Sequence, residues 1–397
     1  MPSEPSLEQH TAVPAADGRP PTQPAAKERL SELDILRALA AIAVVLIHVT
    51  AGPLSTLART TPSFWWNSLI NQASRFSIGA FVLITGAALY YTYGDRARFS
   101  VADFYRRRLR GVVVPYVFWS AFYILMEAYR AHAWSGLPGR YAGSLLRGDA
   151  YYHLYFMVLI FQFYLAFPLV RTAVRSRYLG WLVAAVVVAE LYLTAGAFYG
   201  SGYAHIHWLA GLLHRSDRLL PWWMGYFALG ALLAGRLHRW RAWANRSLPG
   251  LLLCAGGLLA WMMLELAAYM RNPAISVGWA ASEFRPSASL YSLVACVALL
   301  ALARGMLHRW GRVSDLLLDM GRHSFGIYLI HPFVLAVYTW AGGRLHLQLH
   351  PAPSLAVAVV VVLGVSYLCS HALAALPGGA WVVGVAAARR GRTGQPA

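Results

Sequence analysis

The sequence predicts an all-α integral membrane protein, a bundle of about ten transmembrane helices with both termini cytoplasmic. Three observations predict it. Hydrophobic residues make up 58% of the chain and charged residues 13%, against about 25% charge in a soluble domain. Many apolar runs reach the ~20 residues that a helix needs to cross a bilayer. The basic residues cluster between those runs, and mostly on alternate connections.

Residues 1–30 are rich in Pro, Ala, Glu and Gln and have no apolar stretch, so they are expected to form a disordered cytoplasmic tail rather than a cleaved signal sequence. The first helix then stays as a signal anchor. Residues 31–375 form the membrane domain, with spans expected near 33–51, 64–92, 112–130, 153–170, 178–198, 219–235, 248–270, 286–303, 322–341 and 353–374. The stretch 376–388 is too short to cross, so 376–397 is expected to be an interfacial segment with a basic cytoplasmic tail. No internal repeat is visible.

Topology follows from charge. With the N-terminus inside, twenty-four Lys and Arg residues fall on inner segments and nine on outer ones, Arg285 among the nine, while Arg75 lies within a span. The formal net charge is +18, and Lys27 is the only lysine. A basic balance can signal nucleic acid. Here the arginines punctuate membrane spans, so no nucleic-acid partner is expected. The arginine bias, with abundant Ala, Gly and Val, points to a bacterial source and an inner (plasma) membrane location. His132, His205, His207, His214, His346 and His350 fall in expected outer loops, a surface suited to an extracytoplasmic substrate. Cys254, Cys296 and Cys369 lie in apolar runs with no metal-ligand spacing, so neither metal nor disulfide is expected.

The strongest chemical signal is in the first span. Eleven residue steps of ~100° carry Arg37 to within ~20° of the face of His48, ~16 Å further along the axis. Ionisable groups in a span are costly and are retained for function. A histidine exchanges protons near neutral pH and suits a general base. The second span opens with a polar half, Asn67 to Ser77, in which Asn71 and Arg75 share a face. Lipid cannot face such groups, so they are expected to line a cavity, with Arg75 holding an anionic or carbonyl group or pairing with Glu127. Gly79 and Thr85-Gly86 permit close helix approach.

The loop expected next holds Arg106, Arg107, Arg108 and Arg110, a cationic site whose planar forks match phosphate oxygens or anionic lipid headgroups. Glu190 and Glu265 are carboxylates within spans that each need a partner. Glu127 is placed to orient His48. His153 opens the fourth span. His331 precedes Pro332, which removes a helical hydrogen bond and marks a cavity. No phosphate-binding glycine loop, zinc-protease motif or nucleophile elbow is present.

Five of these segments, in order, resemble the membrane acyltransferase 3 family, integral-membrane O-acyltransferases that modify cell-surface glycans. They are Arg37 with His48; Arg75-Phe76-Ser77 through Phe81 and Thr85-Gly86; Arg107 to Pro115 with Phe118-Trp119-Ser120; His153-Leu154-Tyr155-Phe156; and Ser324-Phe325-Gly326-Ile327-Tyr328-Leu329-Ile330-His331-Pro332. The chain departs from the family pattern at Gly79, where proline is common, at Thr85, where serine is usual, and at Gly111, where a further arginine often stands. The resemblance implies that acetyl-CoA or another acyl-CoA binds from the cytosol, its phosphates near Arg107, Arg108 and Arg110. Arg37 then holds the donor or steadies the site, and His48 acts as general base or carries the acyl group briefly. Arg75, His153, His331 and Glu127 are the substrate-binding candidates. The acceptor implied is a hydroxyl of an extracytoplasmic glycan or lipid-linked saccharide. No hydrolase-like domain is appended, so transfer is expected to be completed here or by a partner.

Two other classes fit parts of the pattern. A secondary transporter or glycan exporter uses membrane histidines, carboxylates and kinked helices without covalent chemistry, though such carriers usually show repeats. A scaffold needs none of these groups.

Overall fold

The apolar runs fold as α-helices, because a segment crossing lipid must satisfy its backbone groups internally. A computed structural model describes residues 28–94, 99–174, 176–199, 216–345 and 352–385. The helical bundle belongs to the unit that begins at Ser31. Both termini, Arg389, Arg390 and Arg392 of the tail, and the outer-loop histidines His205, His207, His214, His346 and His350 lie outside the described residues.

The helices are α1 (Ser31–Thr56), α2 (Pro62–Ala73), α3 (Phe76–Tyr93), α4 (Val101–Ala131), α5 (Leu137–Arg147), α6 (Tyr155–Val174), α7 (Leu179–Tyr199), α8 (Met224–Gly235), α9 (Leu237–Met270), α10 (Val277–Ala280), α11 (Pro286–Arg309), α12 (Gly311–Arg344), α13 (Ala352–Ala375) and α14 (Gly379–Val382). Among the described residues, nine helical segments are long and apolar enough to cross a membrane, with α2 and α3 counted as one, and Leu220–Gly235 is a shorter apolar segment. The nine fall on nine of the ten spans expected, and the shorter segment falls on the one expected near 219–235.

α1 sits at the centre and packs against α2, α3, α11, α12 and α13. α3 and α8 form the closest pair. A Cβ on Gly86 would overlap the Phe227 carbonyl, and one on Gly230 would overlap that of Leu83. Small residues thus set backbone approach where apolar burial gives helices no reason to prefer each other over lipid. Gly321 does the same between α12 and the Asp34 carbonyl of α1. The outer helices turn large apolar side chains outward, such as Leu169, Trp181 and Leu253. In lipid that surface is solvated, so it needs no protein cover.

Four features depart from expectation. The second span is broken at Ser74–Arg75, where Ser74 and Arg75 donate to the carbonyls of Asn71 and Gln72 in tight three-residue turns. Such a tightened turn swings Arg75 out of the helical register. The arginine cluster is not a loop: Arg106 to Arg110 lie on α4, which starts at an N-cap bond from Asp103 N to Ser100 Oγ (3.2 Å). Residues 379–385 turn back onto the bundle, where Trp119 donates to the Val382 carbonyl (3.1 Å) and Val383 is fully buried. Arg285, expected as an outer-loop charge, is fully buried beside Glu265 (3.6 Å) and Gln72. Breaking such a buried pair costs about 3–5 kcal/mol.

Candidate functional site

His48 is held by the helix it stands on and by a polar clasp beside it. Asn71 of α2 donates to Thr50 Oγ1 (2.9 Å) and to the Ile47 carbonyl (3.2 Å), fixing the polar half of α2 against the turn that carries His48. Three histidines from distant segments meet there. The His48 and His331 rings stack with centroids 5.2 Å apart, and His153 meets His331 edge-on at 5.7 Å. Tyr152 covers His48 at 4.7 Å. Among the described residues no group hydrogen-bonds the His48 ring.

The other two rings are set by their own elements. His331 lies on α12, which runs on through Pro332, and its Nδ1 faces the Ile327 carbonyl (3.1 Å). His153 lies in the turn before α6 rather than on the helix. Tyr328 donates to its carbonyl (2.5 Å), and Tyr123 stacks flat on Tyr151 (4.4 Å) while donating to the Leu329 carbonyl (2.7 Å). Both nitrogens of His153 and Nε2 of His331 are buried without a partner among the described residues. Buried polar atoms normally have partners, so orphans gathered around one space suit a bound polar ligand.

That space belongs to a series of four cavities. The first, about 510 Å³, is lined by Asp103, Arg106, Arg107 and Arg110. The second, about 310 Å³, shares Arg107, Gly111 and Gly384 with it and adds Arg37, Arg108, Thr85 and Ser324. The third, about 190 Å³, shares Phe81, Phe156 and Tyr328 with the second and holds His48, Arg75, His153 and Glu283. The fourth, about 590 Å³, shares His48 with the third and is lined by Tyr151, Tyr152, Arg130, Tyr338 and Thr339. His48 therefore stands where the two sides meet.

The candidates from sequence divide accordingly. Arg37 and His48 line one connected series from a single helix, as their spacing requires. Arg37 also pairs with Asp34 (2.6 Å). Arg107 and Arg108 reach the second cavity, Arg108 lying between the rings of Tyr93 and Tyr164 at 5.7 Å from each. Arg110 opens only onto the first. His153 and Arg75 line the third cavity, and His331 is buried behind His48.

Glu127 is the exception. It pairs with the exposed Arg130 (3.1 Å), lines none of these cavities and orients no histidine. The partner of Arg75 is instead Glu283 (3.0 Å), which sequence reasoning did not single out. Its only signal was an acidic residue just before α11, unremarkable in a loop. Glu265 takes Ser287 and Arg285, whereas Glu190 takes the Gly225 amide (2.5 Å) through Oε2 and keeps Oε1 buried without a partner among the described residues.

The arrangement offers cations at one end, a histidine-bearing chamber in the middle, and a tyrosine-lined cavity beyond. Phosphate-bearing ligands suit the first, proton transfer the second and ring-stacking polar ligands the third. A search of curated proteins and one of solved structures each found no match. A family model described as an acyltransferase domain does match, over residues 30–371, from just before α1 to near the end of α13, and the chain belongs to the acyltransferase 3 family of membrane acyltransferases.

Proposed function

We propose that this protein takes an acyl group, acetyl in the first instance, from cytosolic acyl-CoA and transfers it to a hydroxyl of an extracytoplasmic saccharide or lipid-linked saccharide. The observation that carries this reading is that His48, alone among the described residues, lines both the arginine-fed chamber and the tyrosine-lined cavity. The charge asymmetry of the connections supports an orientation with the Arg37 end at the cytosolic face of the plasma membrane. Donor phosphates then rest on Arg107 and Arg108, with Arg110 and Arg106 at the entrance, and the pantetheine arm passes Phe81, Phe156 and Tyr328.

In the transfer step the acceptor hydroxyl gives its proton to His48. Its oxygen bonds to the thioester carbonyl carbon, the carbon–sulfur bond breaks, and the departing thiolate takes the proton back from His48. Arg75, held by Glu283, faces the same chamber and is suited to the carbonyl oxygen on which charge develops.

The test uses purified protein in lipid nanodiscs with radiolabelled acetyl-CoA, and mass spectrometry of surface glycans from cells with and without the protein. Labelled product, with a glycan mass lower by one acetyl group in the cells lacking the protein, is expected. Substrate accumulation in vesicles with no labelled product overturns the reading in favour of a carrier.

A further inference from the structure

Away from the His48 chamber, α12 and α13 bring together a second set of chemistry-bearing side chains. We propose that Asp319, His323 and His371 bind one divalent transition-metal ion, with Zn2+ the best match. One ligand atom from each lies within 4.8 Å of the others. Asp319 and His323 are four residues apart on α12. Tyr367 and His371 are four apart on α13, so each helix presents two such groups on one face.

The contacts around the three residues are those of ligands being held in position. His323 is buried, and its Nδ1 meets Ser370 Oγ at 3.1 Å, which leaves Nε2 to ligate. Tyr367 donates to Asp319 Oδ2 (2.5 Å), and His371 Nε2 lies 2.7 Å from the same oxygen. Metal-binding histidines and carboxylates characteristically make outer hydrogen bonds like those with Ser370 and Tyr367, which hold the ligand groups in place. Arg322 reaches the other oxygen, Oδ1, at 3.3 Å, so an ion taking Oδ2 would replace its direct contact with His371.

The two rings lie close enough together to serve one ion. The His323 and His371 centroids are 3.7 Å apart with planes 24° from parallel. An imidazole ligates through a lone pair in the plane of its ring, so sharing one ion requires these two rings to turn out of the stack until their nitrogens converge. Donors at ~2.0–2.1 Å from a tetrahedral zinc stand about 3.3 Å from one another, within the range these atoms span. Two imidazoles and one carboxylate suit Zn2+ and leave a position for water. His371 and Asp319 are both partly exposed, so the ion has a way in.

The ion would tie α13 to the part of α12 that packs on α1 through Gly321 and Asp34, one turn before Ser324 and Phe325 of the arginine-lined cavity. The site thus braces one wall of that cavity and is separate from the His48 chamber.

The experiment is metal retention by the full chain, purified in nanodiscs with a histidine-free tag, stripped with chelator, loaded with ZnCl2 and desalted. About one zinc per chain is expected by elemental mass spectrometry. H371A and D319N should each lower affinity at least ~10-fold, and S370A by a smaller factor. H48A should retain the zinc, which separates this site from the other histidines. Co2+ loading of the unmutated protein gives a second readout, since absorption bands of a nitrogen–oxygen site should appear and be displaced by Zn2+. Absence of retained zinc, or retention unchanged in H371A and D319N, overturns the proposal. Because metal content is read directly, neither result depends on whether acyl transfer occurs.

Discussion

At the Arg37 end of α1 the cavity walls are arginine-rich and open towards solvent, whereas near the other end they are aromatic, histidine-bearing and buried. The two regions lie ~16 Å apart on one helix. A polyanionic group needs cations it can reach from water, where long-range attraction also speeds encounter. A proton transfer gains from exclusion of water, because electrostatic interactions strengthen as the local dielectric falls. One helix serves both needs because its axial rise separates the two environments while its period keeps them on one face.

The division of labour between the two ends is most exposed at His48. H48Q should lower acetyl transfer by ~10²–10⁴-fold while donor binding changes less than about twofold, read by turnover and by isothermal titration with acetyl-CoA. Equal loss of both would merge the two regions into one binding site. The next largest effect is expected at the cationic end. R107A combined with R108A should raise KM for acetyl-CoA ~10–100-fold with little change in kcat, since charge-assisted hydrogen bonds contribute about 1.5–3 kcal/mol each. The same variant should lose most of the salt dependence of KM; a fall in kcat alone would contradict a phosphate-holding role. Asn71 gives a smaller effect. N71A frees the turn carrying His48, and should lower thermal stability by about 1 kcal/mol and kcat several-fold at unchanged KM. The weakest response is expected for E127A, within about twofold on every parameter, because its exposed pair with Arg130 contributes little. A tenfold loss there would restore the carboxylate–histidine arrangement that the geometry does not contain.

The same contrast between near and distant relations governs what could be read in advance. Arg37 and His48 were readable because their relation is local: one helix, fixed period, eleven steps. The close approach of α3 and α8 was half readable, since Gly86 announced a small surface but not its partner Phe227. Glu283 was not readable as the partner of Arg75. The two are joined by the packing of α1, α3 and α11, and an acidic residue in a connection looks the same with or without such a partner. Arg285 misled for the same reason: an arginine near a span end marks topology unless a buried carboxylate from another helix claims it, as Glu265 does.

The membrane-spanning helical character, about nine of the spans and the shared face of Arg37 and His48 were settled by the order of residues. Apolar run length and helical period depend on near neighbours in the chain and on nothing else. Helix packing settled the rest: that residues 379–385 close one cavity wall, and that His153 and His331 gather at His48. The convergence of Asp319, His323 and His371 belongs with these. Such relations join residues far apart in the chain, and their distances are set by how whole helices pack, which no local pattern encodes.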